Sequence, residues 1–269
     1  MEKEKRKFYD VLLAEASDEL SRCYIRVDAR IFNVKFPYSV PKYISLLMLL
    51  KMRMNVLRMA NVSLSLLNDS MGYSHGYNSK SSPIVEIRNM LRKLESDGRI
   101  SVFHSITGEP LDLRSVRTDV YFTIFVNDTE FLSTNTSPFV TLNALEFLKI
   151  YEIESGGKKS IPTLIAVYLY IKYASSSPDG DGVCFRRIST ISAAIGVGHA
   201  GVASALNLLA SNHLIYSQSN VCRLTTSGTF TQIPNMYSIS NRIFETGKWI
   251  DVTKSFYDTS ELMYNGVIY

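Results

Sequence analysis

Four short segments in the first half of this chain reappear in the same order in the second half. That correspondence limits the fold more than any other feature. Tyr24-Ile25-Arg26-Val27-Asp28-Ala29, ending at Phe32, matches Phe139-Val140-Thr141-Leu142-Asn143-Ala144, ending at Phe147, at an offset of 115. Ser39-Val40-Pro41 with Ile44 and Lys51 matches Ser160-Ile161-Pro162 with Ile165 and Lys172, at offset 121. Leu64-Ser65, Leu67, Met71 and Gly72 match Ile188-Ser189, Ile191, Ile195 and Gly196, at offset 124. Leu91, Leu94, Ser96, Asp97 and Ile100 match Leu206, Leu209, Ser211, Asn212 and Ile215, again at 115. Twelve of the 41 aligned positions are identical, against two or three expected from average residue usage. Two copies of one module account for the pattern.

Each copy reads as strand, helix, helix, helix, hairpin. Ile25 to Phe32 alternates and carries β-branched and aromatic residues, as a short strand does. Ser39 and Pro41 start a helix by cap and first-turn proline. That helix is apolar on nearly every side through Lys51, which predicts deep burial. Leu64, Leu67 and Met71 mark a second helix that stops at Gly72. A third opens at Ser82-Pro83, shows an apolar stripe of Ile84, Ile87, Leu91 and Leu94, and ends at Gly98. Arg99 to Ser105 and Val120 to Val126 read as a hairpin with a turn at Gly108-Glu109-Pro110. The second copy runs through Ile161 to Tyr173, Ile188 to Ile195 and Gly198 to Ala210, then a hairpin in Leu214 to Leu224 and Asn235 to Ser240. Its turn between helices two and three is the tight Gly196-Val197-Gly198. The first copy carries nine extra residues there, within the polar, Gly-containing run Tyr73 to Ser81.

Three helices and a β-hairpin, with the Leu91, Leu94, Gly98, Ile100 rhythm closing helix three, resemble the winged helix-turn-helix family. The expected fold class is α+β and mainly helical, with two tandem winged helix-turn-helix modules related by internal duplication. The expected divisions are an amphipathic helical segment at 1–22, module one at 23–135, module two at 136–242 and an extension at 243–269. Two such modules in one chain resemble the iteron-binding initiators of plasmid replication and, more loosely, phage replisome organisers. That resemblance implies binding to repeated origin sites, dimer-to-monomer control and recruitment of host replication proteins.

In a winged helix the third helix faces the major groove and the wing reaches the backbone. At 100° per residue, the face opposite the apolar stripe carries Ser82, Glu86, Asn89 and Lys93, with Arg92 at its edge. Asn pairs with adenine, and Lys or Arg with guanine or phosphate. Lys80 stands just before this helix; Arg114 and Arg117 follow the hairpin turn. In the second copy the outward positions are Val197, Gly201, Ser204 and Leu208, with Asn207 at the edge, a face that also suits a protein interface. Arg186 and Arg187 are its best phosphate candidates. Val40 to Arg117 holds eleven Lys/Arg and six Asp/Glu; Ser160 to Asn241 holds four and two. On that count the first module is expected to supply most of the electrostatic affinity.

Other classes find less support. The net charge of +4 permits a nucleic-acid partner without requiring one. Cys23, Cys184 and Cys222 are far apart, and the four histidines, His75, His104, His199 and His213, complete no metal-ligand spacing with them, so neither metal nor cofactor is expected. Gly156-Gly157-Lys158-Lys159-Ser160 has lysine where a phosphate loop needs its hydroxyl residue and Glu152 where it needs its first glycine. Asp179-Gly180-Asp181-Gly182 lacks the glutamate of a calcium loop. The most apolar run, Ile44 to Leu50, falls well short of a bilayer's span of about 20 residues. The chain is therefore expected to be soluble, cytoplasmic and non-enzymatic. It is expected to bind double-stranded DNA, as a replication initiator that can homodimerise. A transcriptional or partition regulator stays open, as does an adaptor with one DNA-binding and one protein-binding module.

Overall fold

The computed structural model describes residues 24–32, 39–72, 82–127, 138–153, 160–176 and 181–269. The segment 1–22, the residues Tyr73 to Ser81 and the Gly156 to Lys159 run lie outside them. The chain is α+β and divides into two compact units, residues 1–31 with 35–165 and residues 32–34 with 166–269.

The first unit begins with β1 (Tyr24–Asp28), whose continuation Ala29–Phe32 is a single 3-10 turn. The expected strand thus stops four residues early. Asp28 accepts hydrogen bonds from the Arg30 backbone N–H and guanidinium, and this local ring closes the chain into a turn. Then comes α1 (Val40–Arg53), buried from Val40 to Leu50 except at Lys42, as its all-round apolar sequence requires. A short strand, β2 (Met59–Val62), follows and was not apparent from the sequence. Next are α2 (Leu64–Ser70), capped by the Ser63 hydroxyl on the Leu66 N–H, and α3 (Ser82–Ser96). β3 (Ile100–His104) and β4 (Phe122–Val126) complete a three-stranded antiparallel sheet in the order β2-β4-β3. Ile84, Ile87, Leu91 and Leu94 of α3 are each at most 1% exposed. Burying each of these side chains contributes about 1.5–3 kcal/mol, so the stripe holds α3 against α1, α2 and the sheet.

β5 (Phe139–Asn143) pairs antiparallel with β1, and α4 (Ala144–Tyr151) starts from a reciprocal cap between Asn143 and Glu146. The two strands are those matched at offset 115. Arg26 pairs with Thr141, its own counterpart, and the remaining pairs fall symmetrically about that centre.

The second unit takes in most of α5 (Ile161–Ser175). The boundary falls inside this helix, so β5 and α4, placed after residue 135 in the sequence division, count with the first unit. Phe32 meets Tyr170 edge-on at 5.4 Å and stacks on Tyr173 at 5.7 Å. α6 (Ile188–Ile195) and α7 (His199–Ser211) follow, and the chain bends by 106° between them. Gly196 makes that bend with φ 68° and ψ 32°, a left-handed conformation that favours glycine.

After α7 the expected simple hairpin is replaced by something larger. β6 (Tyr216–Gln218) pairs with β9 (Met236–Ser238), and Cys184 bridges to Tyr237 on the other side of β9. Between them β7 (Val221–Leu224) and β8 (Phe230–Gln232) form their own hairpin, turning at Thr225 to Thr229. The segment set apart as an extension contributes α8 (Arg242–Glu245), α9 (Lys248–Tyr257), β10 (Leu262–Tyr264) and β11 (Val267–Ile268). These strands extend the hairpin into a sheet ordered β11-β10-β7-β8. Trp249, Val252 and Leu262 share one buried cluster with Val183, Phe185, Val221, Ile233 and Met236. Among the described residues, no single helix is long and apolar enough to cross a membrane.

Candidate nucleic-acid interface

Burying the apolar stripe of α3 turns the opposite face outward. Asn89 and Lys93 are exposed and Arg92 is half-buried at the edge. Beside this face runs the connection from β3 to β4. It first turns back at Ser105 to Gly108 and returns along β3, with the Leu111 N–H donating to the Val102 carbonyl. Leu111, Leu113 and Val116 are buried, and the Arg88 guanidinium donates to the Val116 carbonyl at 2.9 Å. The stretch after the turn is therefore packed beside α3 instead of projecting freely. The result is an open groove of about 590 Å³ lined by Asn89, Arg92, Lys93, Glu95, Ser96, Asp112 and Arg114.

Four residues selected from the sequence, Asn89, Arg92, Lys93 and Arg114, thus meet in one place. Arg114 is held there by its backbone N–H, which donates to Asp112 Oδ1 at 2.9 Å. Two carboxylates share the groove and were not foreseen. Burial holds the Glu95 carboxyl above its ordinary range and Asp112 adds to that; the Val102 backbone and Arg92 pull it down. Lys93 pairs with Asp97 one turn along α3 at 2.5 Å.

The other candidates are placed differently. Glu86, expected on the outward face, is half-buried and ion-paired with Lys42 of α1, so it belongs to the helix–helix contact. Burial holds the Lys42 ammonium below its ordinary value. Arg117 does not line the groove; it pairs with Asp119 at 2.9 Å and draws that carboxyl below its usual range. Ser82 is the first residue of α3, and Lys80 lies outside the described residues.

In the second unit Ser204 and Asn207 are exposed on α7, while Leu208, expected outward, is half-buried. Arg186 and Arg187 are exposed, Arg187 being the N-cap residue of α6. Sequence reasoning missed Arg223 on β7, whose guanidinium lies 5.2 Å from the centre of the Tyr257 ring. Nothing in its local sequence marks it. Burial pushes the Cys184 thiol up to about 11 and the Tyr170 hydroxyl up to about 12. Among the described residues no three His, Cys, Asp or Glu side chains gather to hold a metal ion.

No protein-family model and no curated protein matches the chain. Among solved structures it is similar to a Pi initiator protein in complex with iteron DNA. That match has a TM-score of 0.36 and 10% identity, over 82% of this chain and 98% of that one. It is too distant to assign a family.

Proposed function

We propose that this chain is a non-catalytic protein that binds double-stranded DNA, with α3 presented to the major groove and the 112–114 stretch beside it on the backbone. The observation that carries this is the convergence of Asn89, Arg92, Lys93 and Arg114 on one open groove. An amide and three cations suit base edges and phosphates together.

The order helix, strand, helix, helix, hairpin, with sheet order β2-β4-β3, supports reading the first unit as a winged helix. In the second unit the 106° bend between α6 and α7 falls within the range of a helix-turn-helix. Its bridge at Cys184, with β9 and β6, repeats the same strand order. The repeated segments, and the pairing of β1 with β5 about Arg26 and Thr141, support an origin by duplication. Two modules in one chain favour an initiator that reads repeated origin sites, with homodimerisation and host replication proteins as the partners such a role implies.

The test is equilibrium binding to duplex DNA across a salt series, followed by footprinting on DNA next to the gene. Affinity should fall steeply with salt, and protection should recur on direct repeats. Protection of a single palindrome would make the protein a regulator. Absence of duplex binding at low salt would refute the DNA reading.

A further inference from the structure

Three of the four Lys or Arg residues between Ser160 and Asn241 act electrostatically on one residue of the second unit, Tyr257, and one of them, Arg223, lies over its ring. Arg223 reaches Tyr257 from β7, with its guanidinium over the ring and donating to the Tyr257 carbonyl at 3.3 Å. Phe185 meets Tyr257 edge-on at 5.7 Å and stacks on Phe256 at 4.3 Å. Phe185 immediately precedes Arg186 and Arg187, so this aromatic packing brings the exposed pair to the place where Arg223 stands. The positive fields of Arg223, Arg187 and Arg186 all act on the Tyr257 hydroxyl, against the burial that raises its pKa.

Gathering like charges from separate segments opposes folding unless something offsets the repulsion. Among the described residues, none of these three guanidinium groups forms an ion pair with a carboxylate. Around α3 several cations are already matched, Lys93 by Asp97, Lys42 by Glu86 and Arg117 by Asp119, while Arg92 and Arg114 share their groove with the carboxylates Glu95 and Asp112. Arg187 makes no side-chain capping bond at the start of α6, a helix end whose dipole also favours an anion. Guanidinium groups suit phosphate oxygens because they donate in pairs.

We infer that Arg186, Arg187 and Arg223 form a phosphate-backbone binding site, and that this site supplies the larger share of the chain's salt-dependent affinity for duplex DNA. The inference rests on the DNA-binding reading and reverses the ranking that a count of charges suggests. A cation already paired with a carboxylate releases less counterion on meeting a phosphate than an unpaired one.

The test uses the full chain, with R186Q/R187Q, R223Q, R223K and K93Q compared by equilibrium duplex binding. Losing two phosphate contacts should make the affinity ratio of wild type to R186Q/R187Q about twelve-fold larger at roughly 50 mM salt than at roughly 200 mM. K93Q should change that ratio by less than about four-fold, the value for one contact. R223Q should flatten the salt dependence while R223K restores it, which separates charge from a role in pinning Tyr257. Thermal melting of each variant confirms folding. If wild type binds duplex and R186Q/R187Q keeps the full salt slope, the inference is overturned and the DNA reading stands. If R223Q alone keeps the full slope, the three-arginine site is overturned. If wild type binds no duplex at the lowest salt, both readings fall together.

Discussion

Under the proposed DNA-binding role, truncating Asn89 to alanine separates reading of base sequence from the structural work of α3. Asn89 is exposed in the middle of α3, four residues before Lys93 and opposite the buried stripe. Removing an exposed side chain there changes stability by no more than about 0.5 kcal/mol. Alanine is also the better helix former, so melting should be unchanged or slightly raised. The cost should appear in recognition. A bidentate amide–adenine contact is worth about 1–3 kcal/mol of discrimination, or roughly 5- to 150-fold in affinity for the preferred site. Affinity for random duplex should stay constant. Arg114→Ala provides the contrast, because its backbone bond to Asp112 does not depend on the side chain and the loop keeps its place. It should weaken preferred and random DNA alike and flatten the log–log salt slope by about 0.9. The assay is fluorescence anisotropy on a duplex selected by the wild-type protein and on a scrambled control. Equal losses on both duplexes for Asn89→Ala, or no loss on either, would refute the placement of α3 in the major groove.

Other expectations concern the turns, the groove acids and the cysteines. Gly196→Ala meets nothing within 4 Å, so its cost is that of the left-handed backbone, about 1–2 kcal/mol. Gly72→Ala adds a Cβ 2.8 Å from Ile161 Cδ1 to the same strain and should cost more in denaturant titration; equal costs would dispose of that contact. Glu95→Gln should tighten duplex binding, because it removes a negative charge from the groove. In the wild type the folded Glu95 carboxyl lies above its unfolded value, so its charged form disfavours the fold. Stability should therefore rise as pH falls through the folded value, level off below the unfolded one, and lose this component in Glu95→Gln; an unaltered pH profile in the variant would contradict the assignment. Cys184, 1% exposed and with its thiol pushed up to about 11, should resist alkylation until the protein unfolds, while half-buried Cys222 reacts earlier. Mass spectrometry of partly labelled protein gives the order.

The features legible in the residues alone are those set within a few turns of chain. The stripe of Ile84, Ile87, Leu91 and Leu94, the fully apolar α1 and the stop at Gly196 each follow from a helical period or a local backbone preference. Because that period also defines the opposite face, Asn89 and Lys93 are marked as outward by the sequence alone. Tertiary structure decided whatever depends on partners distant in sequence. β2 has four residues, too few to show an alternation, and exists because β4, sixty residues on, supplies its hydrogen bonds. Glu86 looked outward by helical angle until Lys42 of another helix claimed it. The hairpin of β7 and β8 became part of a larger sheet only when β10 arrived from the C-terminal segment. Arg223 and Tyr257 are 34 residues apart, and no local rule brings a strand cation over a helix aromatic. Sequence period thus determined which faces of the helices are buried. Non-local packing determined which charges those faces leave unpaired, because a cation's partner is chosen by distance in space and not along the chain.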